Sequence, residues 1–180
     1  MINKAAFFML AALATSPAVA QTEGWASAGG GINLDGGRLT GEARLGLDTS
    51  LGGSIFAGFG AGIGLSGAKD CVNNFFVIGD RVCVKGDRKY SVEARLGTQT
   101  KGGSKIYLIG GYSNLGLKAD ASVNDFTVST GVTGFDGFAV GAGWQAPIGG
   151  KMFFRTEYRY GSYSDGISTH TFMPSIGVSF

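Results

Sequence analysis

The sequence predicts an all-β fold, an antiparallel up-and-down barrel of eight strands. Apolar and polar side chains alternate with period two in several segments, and short Gly-Gly turns alternate along the chain with longer polar stretches. Side chains two residues apart share one face of a strand, whereas on a helix they point about 200° apart. The alternation therefore indicates strands, and the turns indicate that neighbouring strands form hairpins.

The alternation is clearest in the last third of the chain. Phe154 and Tyr158 lie on one side of an extended segment, and Arg155, Glu157 and Arg159 lie on the other. Similar segments recur along the chain, and together they predict a set of strands typical of a barrel. The predicted strands are 25–34, 39–48, 54–65, 89–99, 104–113, 136–146, 151–162 and 169–180.

An internal repeat supports the hairpins. Residues 42–46 and 93–97 share the sequence Glu-Ala-Arg-Leu-Gly, and Gly-Gly-Ser follows at 52–54 and at 102–104. Paired glycines suit tight turns between antiparallel strands. We therefore expect short turns at one end of the barrel and longer polar loops at the other. The two longest predicted loops are 66–89 and 114–135.

The first twenty residues predict a secretory signal peptide. Lys4 provides a positive charge, 5–14 is an apolar stretch, and 18–20 offers small residues where a signal peptidase reads. The apolar stretch is shorter than the roughly 20 residues that a membrane-spanning helix needs. We therefore expect a signal peptide at 1–20 and a barrel at 21–180, with the mature chain beginning near Gln21.

Composition excludes several classes of protein. The chain holds 15 Lys and Arg against 13 Asp and Glu, which is not the basic excess of a nucleic-acid-binding protein. After the first twenty residues, no apolar run reaches the length of about 18 that predicts a spanning helix. Glycine accounts for 33 of 180 residues but shows no Gly-X-Y period, so the chain is not collagen-like. We therefore expect no nucleic-acid partner and no transmembrane helix.

The two cysteines, Cys71 and Cys83, predict one disulfide bond. An even number of cysteines in an exported chain favours pairing, and closing this loop would stabilise the fold by roughly 3 kcal/mol on the chain-entropy model. A metal site is disfavoured because the spacing does not suit one and His170 is the only histidine. The Gly-x-Gly-x-x-Gly segment at 62–67 continues a glycine row and opens no helix, so we expect no cofactor.

The alternation alone leaves open which face of the wall points outward. A β-protein spans lipid only as a closed barrel, and its apolar face must then lie outside. An eight-stranded barrel is just wide enough for side chains to fill it, so the charged residues would pair inside as a plug. A soluble barrel would reverse the two faces. The aromatic residues on the apolar side and the glycines in 58–64 favour the membrane barrel. The predicted interior network is Glu42, Arg44, Glu93, Arg95, Arg155, Glu157 and Arg159.

Three features carry a resemblance to a known family. Trp25 follows the predicted signal peptide, 157–160 reads Glu-Tyr-Arg-Tyr in the penultimate strand, and the last strand ends in Phe180. In these features the chain resembles the small outer-membrane barrels that include the opacity proteins and the transmembrane domain of outer membrane protein A. The resemblance implies a location in the bacterial outer membrane and a last strand that the barrel-assembly machinery recognises. That assembly signal would be Phe172, Ile176, Val178 and Phe180.

Three functions compete on the sequence alone. The first is a non-enzymatic structural or surface-interaction protein whose loops, 66–89 and 114–135, contact lipopolysaccharide, host or matrix molecules. The second is a narrow passive channel, for which the interior pairs would have to rearrange. The third is a lipid A-modifying enzyme that uses His170 and Glu157, for which the sequence offers no matching motif. We favour the first.

The loop 66–89 holds an excess of basic residues. Lipopolysaccharide phosphates accept charge-assisted hydrogen bonds, so these bases suit them, although an ordinary solvated loop explains the bases equally well. The apolar residues within 73–78 either form a contact surface or pack on the disulfide loop. The candidate lipopolysaccharide contacts are Lys69, Arg81, Lys85, Arg88 and Lys89.

Overall fold

The computed structural model describes residues 21–67, 69–73, 80–123, 126–129, 131 and 133–180. The predicted signal peptide lies outside the described residues, as does most of the apolar segment 73–78. The described chain forms ten strands and one short 3₁₀ turn at Ser164–Gly166. The strands are β1 (Thr22–Asn33), β2 (Arg38–Gly52), β3 (Ile55–Ser66), β4 (Lys69–Asn73), β5 (Asp80–Gln99), β6 (Lys105–Val123), β7 (Phe126–Ser129), β8 (Thr133–Gly149), β9 (Met152–Tyr163) and β10 (Ser168–Ser179).

Eight of these strands form a closed antiparallel barrel. β1, β2, β3, β5, β6, β8, β9 and β10 pair in that order, and β10 pairs with β1 to close the ring. At the closing seam Trp25 lies opposite Ser179, and Ile32 lies opposite Phe172. Closure pairs the backbone of each wall strand on both sides, which a β-protein requires in lipid. The predicted fold is confirmed.

The two ends of the barrel differ in how they join the strands. At one end, the turn end, short turns join β2 to β3, β5 to β6, and β8 to β9. Gly53 (φ 60°), Gly103 (φ 82°) and Gly150 (φ 55°) have the left-handed backbone that only glycine adopts at little cost. We call the opposite end the hairpin end, because two long hairpins project from it.

The strands at the hairpin end are longer than predicted. β5 begins at Asp80 and β6 continues to Val123, so much of 66–89 and 114–135 is strand. β4 pairs with β5, with Cys71 opposite Cys83, and β7 pairs with β6. β4, β7 and the paired ends of β5 and β6 therefore form a four-stranded sheet, which we call the extension.

The prediction of two loops there was wrong for a physical reason. The alternation of apolar and polar residues marks a strand only where one face is buried or meets lipid. In the extension, β5 and β6 pair through their backbones past a register break between Gly86 and Lys89. On β5, the charged residues Lys85 and Asp87 flank Gly86 and interrupt the alternation. On β6, Leu117, Ala119 and Ala121 do alternate with Lys118, Asp120 and Ser122, and the prediction missed this signal.

The wall of the barrel is apolar outside and polar inside. Leu45 and Leu108 are 65% and 69% exposed, whereas Arg44 and Arg155 are 4% and 0% exposed. A soluble barrel would have the opposite arrangement, so the reversed alternative is wrong. The exposed aromatic residues are Tyr90, Tyr112, Phe138, Tyr158 and Phe172 toward the hairpin end, Trp144 and Phe180 toward the turn end, and Phe59 between these two groups. Within the described ranges, no helix is both long and apolar enough to cross a membrane.

Candidate functional site

Glycines on β3 make room for the charged side chains inside the barrel. A Cβ on Gly58 would lie 2.3 Å from the Asp48 Oδ1, and a Cβ on Gly62 would lie 2.7 Å from the Arg44 Cγ. Any side chain at these positions would therefore occupy space that the ionic groups fill. The sequence predicted that the alternate glycines leave space for long side chains on facing strands. The close approach of Asp48 and Arg44 to these glycines is the reason that the space is needed.

The charged residues nearest the turn end surround Trp25, and we call Trp25, Asp48, Arg95, Lys105 and Arg155 the Trp25 cluster. Arg95 donates from Nε to Asp48 Oδ1 at 2.7 Å and from Nη2 to Asp48 Oδ2 at 2.7 Å. Lys105 Nζ donates to Asp48 Oδ2 at 2.7 Å as well. One buried carboxylate thus serves two bases, and the paired geometry with Arg95 is the strongest form of this contact.

Two guanidinium groups lie against the Trp25 ring. The Cζ atoms of Arg95 and Arg155 each lie 4.2 Å from the centroid of the indole ring. Arg155 also donates to Gln145 Oε1, at 3.1 Å from Nε and 2.7 Å from Nη2. Cation–π contacts of this kind partly offset the cost of removing a guanidinium group from water.

A second group of ionic residues, nearer the hairpin end, shares its contacts among several partners. We call Glu42, Arg44, Glu93, Glu157 and Arg159 the Glu157 cluster. Arg44 Nη1 lies 2.6 Å from Glu157 Oε2, and Arg159 Nη2 lies 2.9 Å from that oxygen and 2.6 Å from Glu93 Oε2. Glu42 is held less closely, with Arg44 Nε at 3.4 Å and Arg159 Nη1 at 3.7 Å.

The two clusters meet through Tyr107 and Arg155. The Tyr107 hydroxyl donates to Glu157 Oε1 at 2.7 Å, and its ring lies 5.0 Å from the Arg95 Cζ. Arg155 Nε lies 3.9 Å from the same Glu157 oxygen. The polar interior is therefore continuous between the clusters.

All seven residues predicted for the interior network lie inside the barrel, divided between the two clusters. The prediction missed Asp48 and Lys105. Both had a signal in the sequence: Asp48 shares the period-two face of Glu42 and Arg44, and Lys105 shares that of Tyr107, just after a turn. Trp25 was also not foreseen inside, because an aromatic residue in a membrane barrel is expected on the lipid side.

An open cavity of about 900 Å³ lies at the turn end, and we call it the vestibule. Its rim includes Glu23, Lys101 and Lys151, and it reaches inward to Asp48 and Lys105. Lys105 Nζ lies 2.7 Å from Glu23 Oε2, so a chain of ion pairs leads from the rim to the Trp25 cluster. Trp25 is not among the residues that line the vestibule.

The bases predicted to contact lipopolysaccharide do not form one patch. Lys85 Nζ lies 2.5 Å from Asp120 Oδ2, and Lys89 Nζ lies 3.9 Å from Glu42 Oε2, which turns Lys89 toward the lumen. Arg88 and Arg81 are exposed, and the side chain of Lys69 lies outside the described part of the structure.

The extension carries one further ion pair and a disulfide. Lys118 Nζ lies 3.1 Å from Asp87 Oδ1, and this hydrogen-bonded ammonium lowers the pKa of the Asp87 carboxyl. Cys71 and Cys83 form a disulfide bond, which ties β4 to β5 across directly opposed positions. The bond thus links the two strands on one side of the extension.

His170 and Glu157 lie on opposite faces of the wall. His170 Nδ1 lies 2.6 Å from the hydroxyl of the outward-facing Tyr158, while Glu157 is buried in the lumen. The pair imagined for an enzyme is therefore not assembled. Among the residues that the structure describes, no group of three His, Cys, Asp or Glu side chains could hold a metal ion.

The last strand presents the residues predicted as the assembly signal on one face. Phe172, Ile176, Val178 and Phe180 all point outward and are exposed. Pro174 shares their face of the strand and, lacking an N–H, donates no ladder hydrogen bond. The face is thus apolar and faces the lipid.

Comparison with known proteins gives a family and several similar structures. The family model described as outer membrane protein beta-barrel domain matches residues 5–180. No curated protein sequence matches. Among solved structures, the chain is similar to the N-terminal β-barrel domain of Pseudomonas aeruginosa OprF (TM-score 0.61, 15% identity, 89% of this chain and 99% of that chain). It is also similar to Ail, the attachment invasion locus protein of Yersinia pestis, solved with the heparin analogue sucrose octasulfate (TM-score 0.58, 18% identity, 89% and 99%).

A third similar structure is a major outer membrane protein from Thermus thermophilus (TM-score 0.54, 10% identity, 89% of this chain and 100% of that chain). Identities this low establish a shared fold. The match of the family model over nearly the whole chain establishes the family, and the resemblance drawn from the sequence is confirmed. The chain belongs to the family of outer membrane protein beta-barrel domains, and it is a protein of the bacterial outer membrane.

Proposed function

We propose that this protein is a non-enzymatic surface-contact protein, whose closed barrel anchors the extension outside the cell. The length of two strands carries the proposal. A strand crosses the membrane in about 9–11 residues, whereas β5 has 20 residues and β6 has 19. Barrels of this class have short periplasmic turns, so the turn end faces the periplasm and the extension faces the exterior.

The contact surface is an ordered sheet, which suits recognition. The disulfide between Cys71 and Cys83 and the pairing of β5 with β6 fix the backbone before any partner arrives. A surface that is ordered in advance loses less conformational entropy on binding than a flexible loop does. The order of the extension therefore favours a role in binding over the alternative that it is a long loop without a partner.

Shortening the extension tests the contact role. In the test variant, Asn-Gly turns replace 69–85 and 118–131, and the variant is compared with the intact barrel in phosphocholine micelles. The probes are lipopolysaccharide and sucrose octasulfate, the latter because similar Ail was solved with it. We expect the shortened barrel to lose binding while it keeps its heat-modifiable migration on a gel. Equal binding by both barrels would contradict the extension as the contact surface.

Arg88 is the base best placed for a lipopolysaccharide phosphate. It is exposed, lies opposite Leu65 on the apolar wall, and is two residues from Tyr90 on the same face. This position puts a guanidinium at the level of headgroups, just above the aromatic residues. Arg88→Ala should weaken lipopolysaccharide binding and Arg88→Lys should retain most of it, whereas loss in both or in neither would argue against a charge contact.

The other contacts proposed for this protein concern its export and assembly. Residues 1–20 would be removed as a signal peptide, and mass spectrometry of the protein from outer membranes should then give a chain that begins near Gln21.

The barrel-assembly machinery would recognise Phe172, Ile176, Val178 and Phe180. Phe180→Ser should lower the amount of folded barrel in the outer membrane, because it removes the last residue of that signal. Leu51→Ser is the control, since it also replaces an exposed apolar residue but lies outside the signal, and it should lower the amount less.

A narrow channel is the second candidate, and the vestibule favours it. For conduction the interior ion pairs would have to rearrange, because they fill the lumen beyond the vestibule. We expect planar-bilayer recordings of the native protein to show no steady open channel. If the channel function holds, Arg95→Ala or Arg155→Ala should raise the conductance, and an unchanged trace would count against it.

The absence of enzymatic activity is part of the proposal. The opposite placement of His170 and Glu157 supports it, since an acid–base pair must lie within hydrogen-bond reach. His170→Ala should leave the lipid A profile of producing cells unchanged. A changed profile would revive the enzyme hypothesis.

A further inference from the structure

We infer that the vestibule binds the phosphate headgroup of an anionic phospholipid from the periplasmic leaflet. Lys101 and Lys151 at its rim would hold the phosphate, and the outward-facing Met152 and Phe180 would contact the acyl chains. The inference goes beyond the contact role proposed for the extension, because it concerns the opposite end of the barrel. It uses the proposed orientation only to name the leaflet.

The rim of the vestibule carries two lysines that have no acid partner. Lys101 lies in the β5–β6 turn and Lys151 in the β8–β9 turn, and both are exposed and line the vestibule. The two turns are neighbours, since a Cβ on Gly103 would lie 3.5 Å from the Pro147 Cγ. In the part of the chain that the structure describes, neither lysine forms an ion pair. Two uncompensated ammonium groups therefore border one opening.

The acids of the vestibule are already engaged by other bases. Asp48 accepts hydrogen bonds from Arg95 and Lys105, and Glu23 Oε2 lies 2.7 Å from the Lys105 Nζ. Even without Arg155, the bases of the vestibule and the Trp25 cluster outnumber these two acids. An excess of one charge in a cavity with walls of low dielectric constant concentrates counter-ions. This end of the barrel therefore favours an anion.

The vestibule opens onto the lipid-facing surface as well as onto the lumen. Ile55, Met152 and Phe180 border it, and these side chains point outward and are 52%, 46% and 70% exposed. The Phe180 ring packs on the outer face of β1, where a Cβ on Gly24 would lie 2.4 Å from its Cε2. The opening therefore joins a charged interior to an apolar outer wall.

Lys151 lies at the junction of these two surfaces. It immediately precedes Met152, and its carbonyl accepts a hydrogen bond from Ser179 N at 2.8 Å, which sets it beside the residue before Phe180. Side chains alternate along a strand, so Met152 points to the lipid while Lys151 borders the vestibule. One strand end thus presents an ammonium group on one side and apolar surface on the other. A phospholipid has the same arrangement, with a charged phosphate joined to apolar chains.

This arrangement distinguishes an anionic phospholipid from other anions. A free phosphate would engage the two lysines but would leave Met152 and Phe180 unused. A zwitterionic lipid would bring a further positive charge to a cavity that already has an excess of bases. Lysine binds phosphate as a point charge and needs no fixed geometry, which suits side chains on short exposed turns.

Titration with a short-chain phosphatidylglycerol tests the site. The barrel is held in phosphocholine micelles, and NMR follows the backbone amides of Gly102 and Gly150, which lie in the two lysine-bearing turns. The amide of Gly37, in the β1–β2 connection at the hairpin end, is the reference that should not shift. Glycerol 3-phosphate, which has the phosphate without chains, and a short-chain phosphatidylcholine are titrated in parallel.

We expect saturable shifts with phosphatidylglycerol. Lys101→Gln and Lys151→Gln should each weaken the affinity roughly fivefold, as expected for a basic side chain near anionic lipid, and arginine at both positions should retain it. Lys118→Gln, which removes an exposed lysine of the extension, is the matched control and should leave the affinity unchanged. Met152→Gln should weaken binding of the lipid without changing that of glycerol 3-phosphate.

Absence of saturable shifts, or equal affinity for phosphatidylcholine, would overturn the inference, because the excess of bases would then select nothing. Equal affinity for glycerol 3-phosphate would also overturn it, since the site would then take free phosphate. Heat-modifiable migration on a gel checks that each variant is folded, and each single glutamine variant carries the test by itself. The variant with the shortened extension should bind phosphatidylglycerol as the intact barrel does, so the contact role and this site can fail independently.

Discussion

The two ionic clusters of the lumen differ in how many acids serve each base. The Glu157 cluster has three acids, Glu42, Glu93 and Glu157, for the two bases Arg44 and Arg159, with Lys89 at its edge 3.9 Å from Glu42. The Trp25 cluster has the single acid Asp48 among Arg95, Lys105 and Arg155, with Glu23 reaching Lys105 from the rim. Loss of Glu42 would therefore leave Arg44 and Arg159 with close acids, whereas loss of Asp48 would leave Arg95 without its carboxylate partner. Two networks of similar burial should thus respond differently to the same chemical change.

The largest effect should follow from Asp48→Asn. This change removes the carboxylate shared by Arg95 and Lys105, so that buried Arg95 loses its acid partner and Lys105 keeps only Glu23. The loss of one partner of a buried ion pair costs about 3–5 kcal/mol. Urea unfolding in lipid vesicles, followed by gel mobility, measures it. The control is Asp165→Asn on the exposed turn, where φ is 60° and asparagine is tolerated.

A crowding mutation breaks the same cluster by a different route. In Gly58→Ala, the added Cβ would lie 2.3 Å from the Asp48 Oδ1 and 2.9 Å from the Arg95 Cγ, so the pair must shift. Overpacking of this kind costs about 1–3 kcal/mol. Gly110→Ala is the matched control, because nothing lies within 4 Å of its added Cβ. Equal stability of the two variants would show that the wall relaxes freely around Asp48.

Glu42→Gln should cost least among the buried changes. Its closest base, Arg44 Nε, is 3.4 Å away, and Arg44 and Arg159 both keep shorter contacts to Glu157. The loss should be about 1 kcal/mol, the net worth of an ordinary hydrogen bond. The same urea titration measures it. A loss as large as that of Asp48→Asn would remove the difference between the clusters.

An exposed ion pair provides the lower limit of the comparison. The hydrogen bond from Lys118 lowers the pKa of Asp87, so any stability that it contributes is present at neutral pH and is lost as the pH falls through that lowered value. We expect Lys118→Ala to raise the pKa of Asp87 toward its ordinary value with little change in unfolding, since solvent screens the pair. An NMR titration of the carboxyl carbon checks this, and an unshifted pKa would contradict the pairing.

The sequence predicted the wall of the barrel well because lipid imposes a strict rule on it. Along β9 the alternation of Phe154 and Tyr158 with Arg155 and Glu157 reports which way each side chain points. In the extension the rule is weaker. On β6, Leu117 and Ala119 still alternate with Lys118 and Asp120, but Gly86 and its charged neighbours interrupt the pattern on β5, where backbone pairing continues the strand.

The partners within the lumen were beyond the reach of the sequence. Arg44 and Glu157 are 113 residues apart along the chain, and only closure of the ring brings them to 2.6 Å. The alternation shows on which face of the wall a side chain lies. It does not show which residue of a facing strand lies at the same level of the lumen. Trp25 was hidden for another reason, because the preference of aromatic residues for the lipid interface competes with stacking on a guanidinium group.

The extension makes the hairpin end of the barrel asymmetric, because it rises from one side of the ring of strands. In the part of the chain that the structure describes, the extension continues from β5 and β6 and adds β4 and β7, while the β1–β2 and β9–β10 connections stay close to the rim. In the proposed orientation, the extension therefore rises above one side of the outer rim. A partner approaching in the plane of the membrane would then meet either the extension or the low rim opposite, so rotation of the barrel about its own axis would select what the partner touches.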